Sequence, residues 1–216
     1  THSNLAEILN QESGVFIKSY GAGSLATSSI RGGSAGHTAV VWNGFSLQSP
    51  MLGLLDLSFL PTVFVDEMTL NVGGNSAPWG SGAIGGIIAL NNLPKFKDSF
   101  SVDIQNTIGS FGLWNSQLKL NYGKAKMAGS TRVFHQKAEN DFDYLIRPDL
   151  PKKTLSNNAF QQKGVLQEIY WQLKTNQQLG LHIWWQQSDR EIPPTSTQTR
   201  SEASQKDDIL RTTIHW

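Results

Sequence analysis

The sequence predicts a small α+β module followed by antiparallel strands of a transmembrane β-barrel, too few to close the barrel. Three observations predict this. Charged residues make up only 16% and apolar residues 38% of the chain. Both fall below soluble norms of about 25% and about 45–50%, and Gly, Ser, Asn, Gln and Trp fill the gap. An opening helical pattern gives way to short β-branched runs punctuated by glycine. The remainder then alternates apolar and polar residues over segments of roughly ten, as strands do between lipid and a wet lumen.

The elements follow in order. Asn4 caps a short helix that begins at Leu5, with Glu7 reaching back and Leu5, Ile8 and Leu9 on one face; Glu12-Ser13-Gly14 ends it. Strands are expected at Val15–Ile17, Ser28–Arg31, Thr38–Trp42, Val63–Val72 and Ile84–Leu90. Asn43-Gly44, between Ala39-Val40-Val41 and Phe45-Ser46-Leu47, marks a hairpin, because both turn positions accept positive φ. After Asn92-Leu93-Pro94 the alternation of two takes over: Phe100, Val102, Ile104; Leu118, Leu120, Tyr122; Ile169, Trp171, Leu173; Leu181, Ile183, Trp185. Long polar stretches at Ala138–Gln162 and Ser188–Asp208 read as loops, whereas Gly123-Lys124 and Thr175–Gln178 read as tight turns. The expected domains are residues 1–93 and 94–216. By alternation alone a soluble antiparallel sandwich remains open.

Several function classes fall away. A net charge of +1 with no continuous basic patch gives no footprint for nucleic acid. The absence of cysteine removes disulfides, thiolate metal sites and Cys nucleophiles. No apolar run of about 18 residues exists, so no transmembrane helix is expected. His37 and His135 are isolated, without a metal-binding helix motif, and no nucleophile elbow occurs. Asp207-Asp208 and Asn140-Asp141-Phe142-Asp143 lack the alternating ligands of a calcium loop and read as solvated loop charge. No enzyme, cofactor or metal site is therefore expected.

Gly80-Ser81-Gly82-Ala83-Ile84-Gly85 fits the dinucleotide fingerprint G-x-G-x-x-G. Its context does not. Pro78-Trp79 precede it and Ile87-Ile88-Ala89-Leu90 follow with strand propensity, whereas pyrophosphate binding needs a strand before and a helix after. The run from Pro61 through Gly73 to Ile88 instead resembles the end of the plug domain of TonB-dependent outer-membrane receptors. Ile30-Arg31-Gly32 is similar to that family's internal I-R-G, and Val40-Val41-Trp42-Asn43-Gly44 to its strand ending in D-G. The three motifs occur in family order over most of residues 5–92. Departures are Gly74 for Pro, Trp79 for Tyr, Asn43 for Asp, and Met68 where Arg commonly follows Glu.

The resemblance implies a bacterial outer-membrane receptor in which the plug closes a barrel of about 22 strands. It implies import of a scarce nutrient such as cobalamin, a siderophore or another metal chelate. The periplasmic TonB protein would act through an amino-terminal segment that pairs by strand addition; that segment is expected to lie outside this sequence, which reads as truncated at both ends. Plug size and loop spacing look most like the cobalamin-type branch. By position, Gln48, Ser49 and Met51 belong to the first substrate loop and Asn75 and Trp79 to the second. Arg31 and Glu67 match the latch that holds plug to barrel, and Met68 leaves that charge cluster short of one Arg. The partners implied are TonB, a small-molecule ligand and outer-membrane lipid. The alternatives weighed against this are a β-rich binding module without transport activity, soluble or at the surface, and a passive porin, which would have no use for the plug motifs.

Overall fold

Asn4 begins the architecture by accepting the Glu7 N–H on Oδ1 at 3.1 Å while its Nδ2 donates to the Glu7 carboxylate at 3.2 Å. The computed structural model describes residues 4–30, 32–49, 51–72, 81–145, 149, 151–195 and 197–216, with Ser81 by its backbone alone. It comprises two units, Thr1–Leu93 and Pro94–Trp216.

In the first unit, helix α1 (Leu5–Glu12) buries Leu5, Ala6 and Leu9. The Leu5 N–H donates to the Leu60 carbonyl at 2.9 Å, which ties the helix to the segment carrying buried Leu57, Leu60 and Phe64. β1 (Phe16–Ser19) and β2 (Ala26–Ser29) form a hairpin. β3 (Thr38–Trp42), β4 (Phe45–Ser46), β5 (Glu67–Asn71) and β6 (Gly86–Asn91) form a mixed sheet in the order β4-β3-β6-β5. β3 and β6 pair in parallel, Thr38 with Gly86 through Trp42 with Leu90. Every residue of β3 is buried, which explains its continuous apolar text. Asn43 (φ 46°) and Gly44 (φ 85°) turn β3 into β4, as the Asn-Gly pair predicts.

Some expected boundaries shift. The stretch expected as one strand at Val63–Val72 divides into a single 3-10 turn (Thr62–Phe64) and β5. Asn92 causes the division: its Oδ1 accepts the Asp66 N–H at 3.1 Å and its Nδ2 donates to the Phe64 carbonyl at 3.0 Å. The strand expected at Ser28–Arg31 is placed at Ala26–Ser29, and the one expected at Ile84 starts at Gly86 after a 3-10 turn at Ser81–Ala83. The glycine run therefore leads into a strand, and the helix N-terminus a pyrophosphate needs is not formed there. Its glycines answer to close packing. A Cβ on Gly85 would lie 3.0 Å from the His37 carbonyl oxygen, which already accepts the Gly85 N–H at 2.8 Å.

The second unit contains β7 (Ser99–Ile108), β8 (Trp114–Lys124), β9 (Met127–Ala138), the small hairpin of β10 (Asp143–Tyr144) and β11 (Lys153–Thr154), then β12 (Phe160–Lys174), β13 (Gln177–Glu191) and β14 (Ser204–His215). Six of these form one antiparallel sheet, β14-β13-β12-β9-β8-β7. Its edges do not meet. Turns at 125–126 and 175–176 lie at one end, with connections 109–113, 139–159 and 192–203 at the other. Both expected loops are shorter than their polar text: β9 reaches Ala138, β12 starts at Phe160, β13 reaches Glu191 and β14 starts at Ser204. Asp207 and Asp208 accordingly stand on a strand and not in a loop. Backbone pairing continues after apolar alternation ceases, because a ladder needs N–H and C=O groups and not greasy side chains.

The two faces of this sheet reverse the soluble rule. Phe100 (71%), Ile104 (69%), Leu210 (69%) and Ile214 (68%) are exposed, while Gln117, Arg132, Gln136, Gln162, Glu168 and Gln186 are buried. A sandwich would hide the first set and show the second. On β12 the apolar face runs from Val165 to Leu173, nine residues, against about 9–11 for a tilted strand crossing a bilayer. Within that face Thr131 donates to Gln167 Oε1 at 2.7 Å and Gln167 donates to Tyr122 Oη at 2.9 Å, so its polar atoms satisfy each other.

Candidate functional site

The first-loop residues gather around one open groove. The β3–β4 hairpin is extended by a Leu47 N–H bond to the Val40 carbonyl at 2.9 Å, after which the chain turns back through Ser49, whose carbonyl accepts the Gly53 N–H at 2.8 Å. Gln48 locks this loop to the sheet. Its Nε2 donates to the Thr38 carbonyl at 3.2 Å and to the Gly53 carbonyl at 3.0 Å. Both amide hydrogens are thus committed, leaving Oε1 as the acceptor available to a ligand. The Ser49 hydroxyl oxygen accepts the Leu52 N–H at 3.3 Å and retains its own O–H. Met51, 94% exposed, sits at the loop tip beside exposed Leu52.

The opposite wall comes from residues that the sequence does not mark. The 3-10 turn Ala35–His37 carries exposed His37, whose Nδ1 accepts the Ser34 N–H at 3.3 Å. In the neutral ring that bond leaves the proton on Nε2 as a donor. Gly82 and exposed Ile84 complete the groove, of about 650 Å³, with His37, Ser46, Gln48 and Ser49. No Lys, Arg, Asp or Glu is among the described residues that line it. It offers uncharged donors and acceptors edged by apolar side chains, a surface suited to a bulky neutral molecule. His37 reads as a plain loop residue in sequence; the fold brings it near Gln48, whose Nε2 bonds the carbonyl of neighbouring Thr38.

The remaining expected residues divide. Glu67 is exposed at the start of β5, opposite Asn91. Arg31, Asn75 and Trp79 lie outside the described residues. The second unit holds an ionic cluster of its own, which the sequence does not single out. Arg132 and Glu168, 2% and 1% exposed, pair at 3.0 Å across β9 and β12. Ser130 Oγ donates to Glu168 Oε2 at 2.9 Å and accepts from Arg132 Nε at 3.0 Å, and Tyr170 donates to Glu168 Oε1 at 3.1 Å. His182 packs edge-on to Tyr170 at 5.1 Å and bonds Thr213 through Nδ1 at 3.1 Å. No group of three or more metal-ligating side chains occurs among the described residues.

Residues 1–87 match the family described as the TonB-dependent Receptor Plug Domain. Over 99 residues the chain is 34% identical to the vitamin B12 transporter BtuB of Photobacterium profundum, covering 46% of this chain and 16% of that protein. Over 152 residues it is 28% identical to the vitamin B12 transporter BtuB of Vibrio cholerae, covering 67% and 23%. The chain therefore spans less than a quarter of these curated relatives. Among solved structures, the copper transporter OprC superposes with a TM-score of 0.70 at 18% identity, over 88% of this chain and 28% of that one. The FrpB iron transporter of Neisseria meningitidis gives 0.67 at 15%, over 88% and 30%. At such identities the likeness is one of fold.

Proposed function

The chain belongs to the TonB-dependent receptors, an outer-membrane family, and from that premise we propose that the protein imports a bulky neutral nutrient of the cobalamin type. The single observation that carries the substrate class is the neutrality of the groove. A ferric siderophore of high negative charge would lose its hydration there without gaining a cation in return. A corrinoid amide periphery would find the Gln48 Oε1 acceptor, the Ser49 hydroxyl and the His37 Nε2–H donor, with Met51 and Leu52 against its apolar parts. The relatives named for vitamin B12 support the same choice.

In this reading Gln48, Ser49 and Met51 form the first substrate loop and Asn75 and Trp79 the second. Arg31 and Glu67 anchor the plug within the barrel. TonB supplies the force that displaces the plug, through a segment preceding α1 paired by strand addition. Removing one neutral hydrogen bond from a bound ligand weakens binding about fivefold. Equilibrium binding to the intact receptor tests this: cobalamin is expected to bind and a ferric tris-catecholate not, with Ser49→Ala reducing cobalamin affinity by about that factor. Preference for the anionic chelate would overturn the substrate class, and recovery of the receptor outside the outer-membrane fraction would overturn the transport reading.

A further inference from the structure

The glycines around the groove answer to different demands. Gly53, at φ 63°, makes the turn that brings the chain back after Ser49, a conformation closed to most side chains. Gly85 lets backbone approach backbone, with the His37 carbonyl oxygen 3.0 Å from where a Cβ would stand. Gly82 meets neither demand. It sits in the middle of the 3-10 turn Ser81–Ala83 and its φ lies outside the left-handed region, so its backbone suits any residue, and within a helical turn alanine is the better choice. The atoms nearest to a Cβ at this position belong to a side chain: Gln48 Oε1 at 3.2 Å and Nε2 at 3.4 Å, followed by the Gly36 carbonyl oxygen at 3.5 Å.

Gln48 is poorly placed to give way. Its Nε2 is bonded to the Thr38 carbonyl at 3.2 Å and to the Gly53 carbonyl at 3.0 Å. Held at two points, the amide keeps one orientation, and Oε1 with it. A methyl group on residue 82 fits only if the amide shifts by a few tenths of an ångström, a motion that strains both bonds at once. Hydrogen bonds weaken steeply with misalignment, so a displaced Oε1 is a poorer acceptor for a ligand that has been shaped to its first position. Oε1 and the Gly36 carbonyl oxygen both border the space beside Gly82. A ligand group entering there meets oxygens and must bring an N–H or O–H.

We propose that Gly82 is a positioning residue for substrate specificity: by lacking a side chain it lets the Gln48 amide stay bonded to Thr38 and Gly53, with Oε1 fixed to accept an N–H or O–H donor of the ligand. The inference rests on the groove being the substrate site. Its test compares equilibrium cobalamin binding by the intact receptor, by Gly82→Ala, by Gln48→Ala and by the double variant, each verified as folded by its heat-modifiable band on gels. Gly82→Ala is expected to weaken binding about fivefold, the loss of one neutral hydrogen bond. Gln48→Ala weakens it at least as much, and adding Gly82→Ala to it costs nothing further, because residues that act through one another are not additive. Wild-type affinity in Gly82→Ala, or a further loss of about fivefold on adding it to Gln48→Ala, would overturn the proposal. Loss of the heat-modifiable band by Gly82→Ala would assign Gly82 to the fold and overturn it equally. A crystal structure of the Gly82→Ala receptor needs no ligand: the Gln48 amide is expected to have left the Thr38 or the Gly53 carbonyl while the Leu47 bond to Val40 persists, and an amide still in its original place would sink the idea. If the unaltered receptor binds no cobalamin, the substrate reading alone fails and the crystal structure still decides the role of Gly82.

Discussion

At the scale of single residues, one departure from the plug-domain pattern is a substitution of like chemistry. Asn43 stands where the family has Asp, and its Oδ1 accepts the Asn92 N–H at 2.9 Å, a bond either side chain makes. Both also tolerate the left-handed φ of 46° found there. Glu168 is a harder case. It takes an ionic contact from Arg132 and hydrogen bonds from Ser130 and Tyr170 in a place where Arg132 is 2% exposed, and Ser130 is itself held by Arg132. Deleting one partner of a buried pair leaves the other charge uncompensated, at a cost of about 3–5 kcal/mol. Glu168→Ala is therefore expected to lower the unfolding free energy of the refolded barrel, read from denaturant titration, by that amount; a loss under 1 kcal/mol would mean that Arg132 reaches water once its partner is gone.

At the scale of the strand, sidedness and depth decide what a substitution costs. Ile183 and Gln187 occupy the same face of β13, four residues apart, the first in the apolar band and the second in the polar row above it. Arginine near the midplane of a barrel's lipid face costs about 2–4 kcal/mol, and near the interface about 0–1. Unfolding from lipid vesicles should show that contrast for Ile183→Arg against Gln187→Arg. Equal costs would place the boundary elsewhere. The same face shows how a strand keeps its surface closed at Gly129: Tyr122 covers it so closely that a Cβ there would lie 2.5 Å from the ring. A larger residue at 129 requires the Tyr122 ring to move.

At the scale of the whole molecule, the turns and connections assign sides to the membrane. Residues 1–216 contain no cysteine, so a single cysteine placed among them, compared with the parent receptor, reports topology. Lys152→Cys, in the 139–159 connection, should react with a bulky membrane-impermeant maleimide on intact cells. Thr175→Cys, in a tight turn, should react only after the outer membrane is opened. The reverse pattern would invert the sheet in the membrane.

The sequence by itself determined four of the six long strands, the capped first helix and the Asn-Gly hairpin, because each rests on short-range chemistry: a cap, a turn with positive φ, a period of two. Strand limits in the polar stretches were not legible, since text records contact with lipid whereas the ladder depends on backbone pairing alone. Nor were the groove partners of Gln48, or the meeting of Arg132 with Glu168. Those pairs are brought together by register across connections of many residues. Only the tertiary structure fixes which residue faces which, because a slip of one position would turn each of these side chains to the other face.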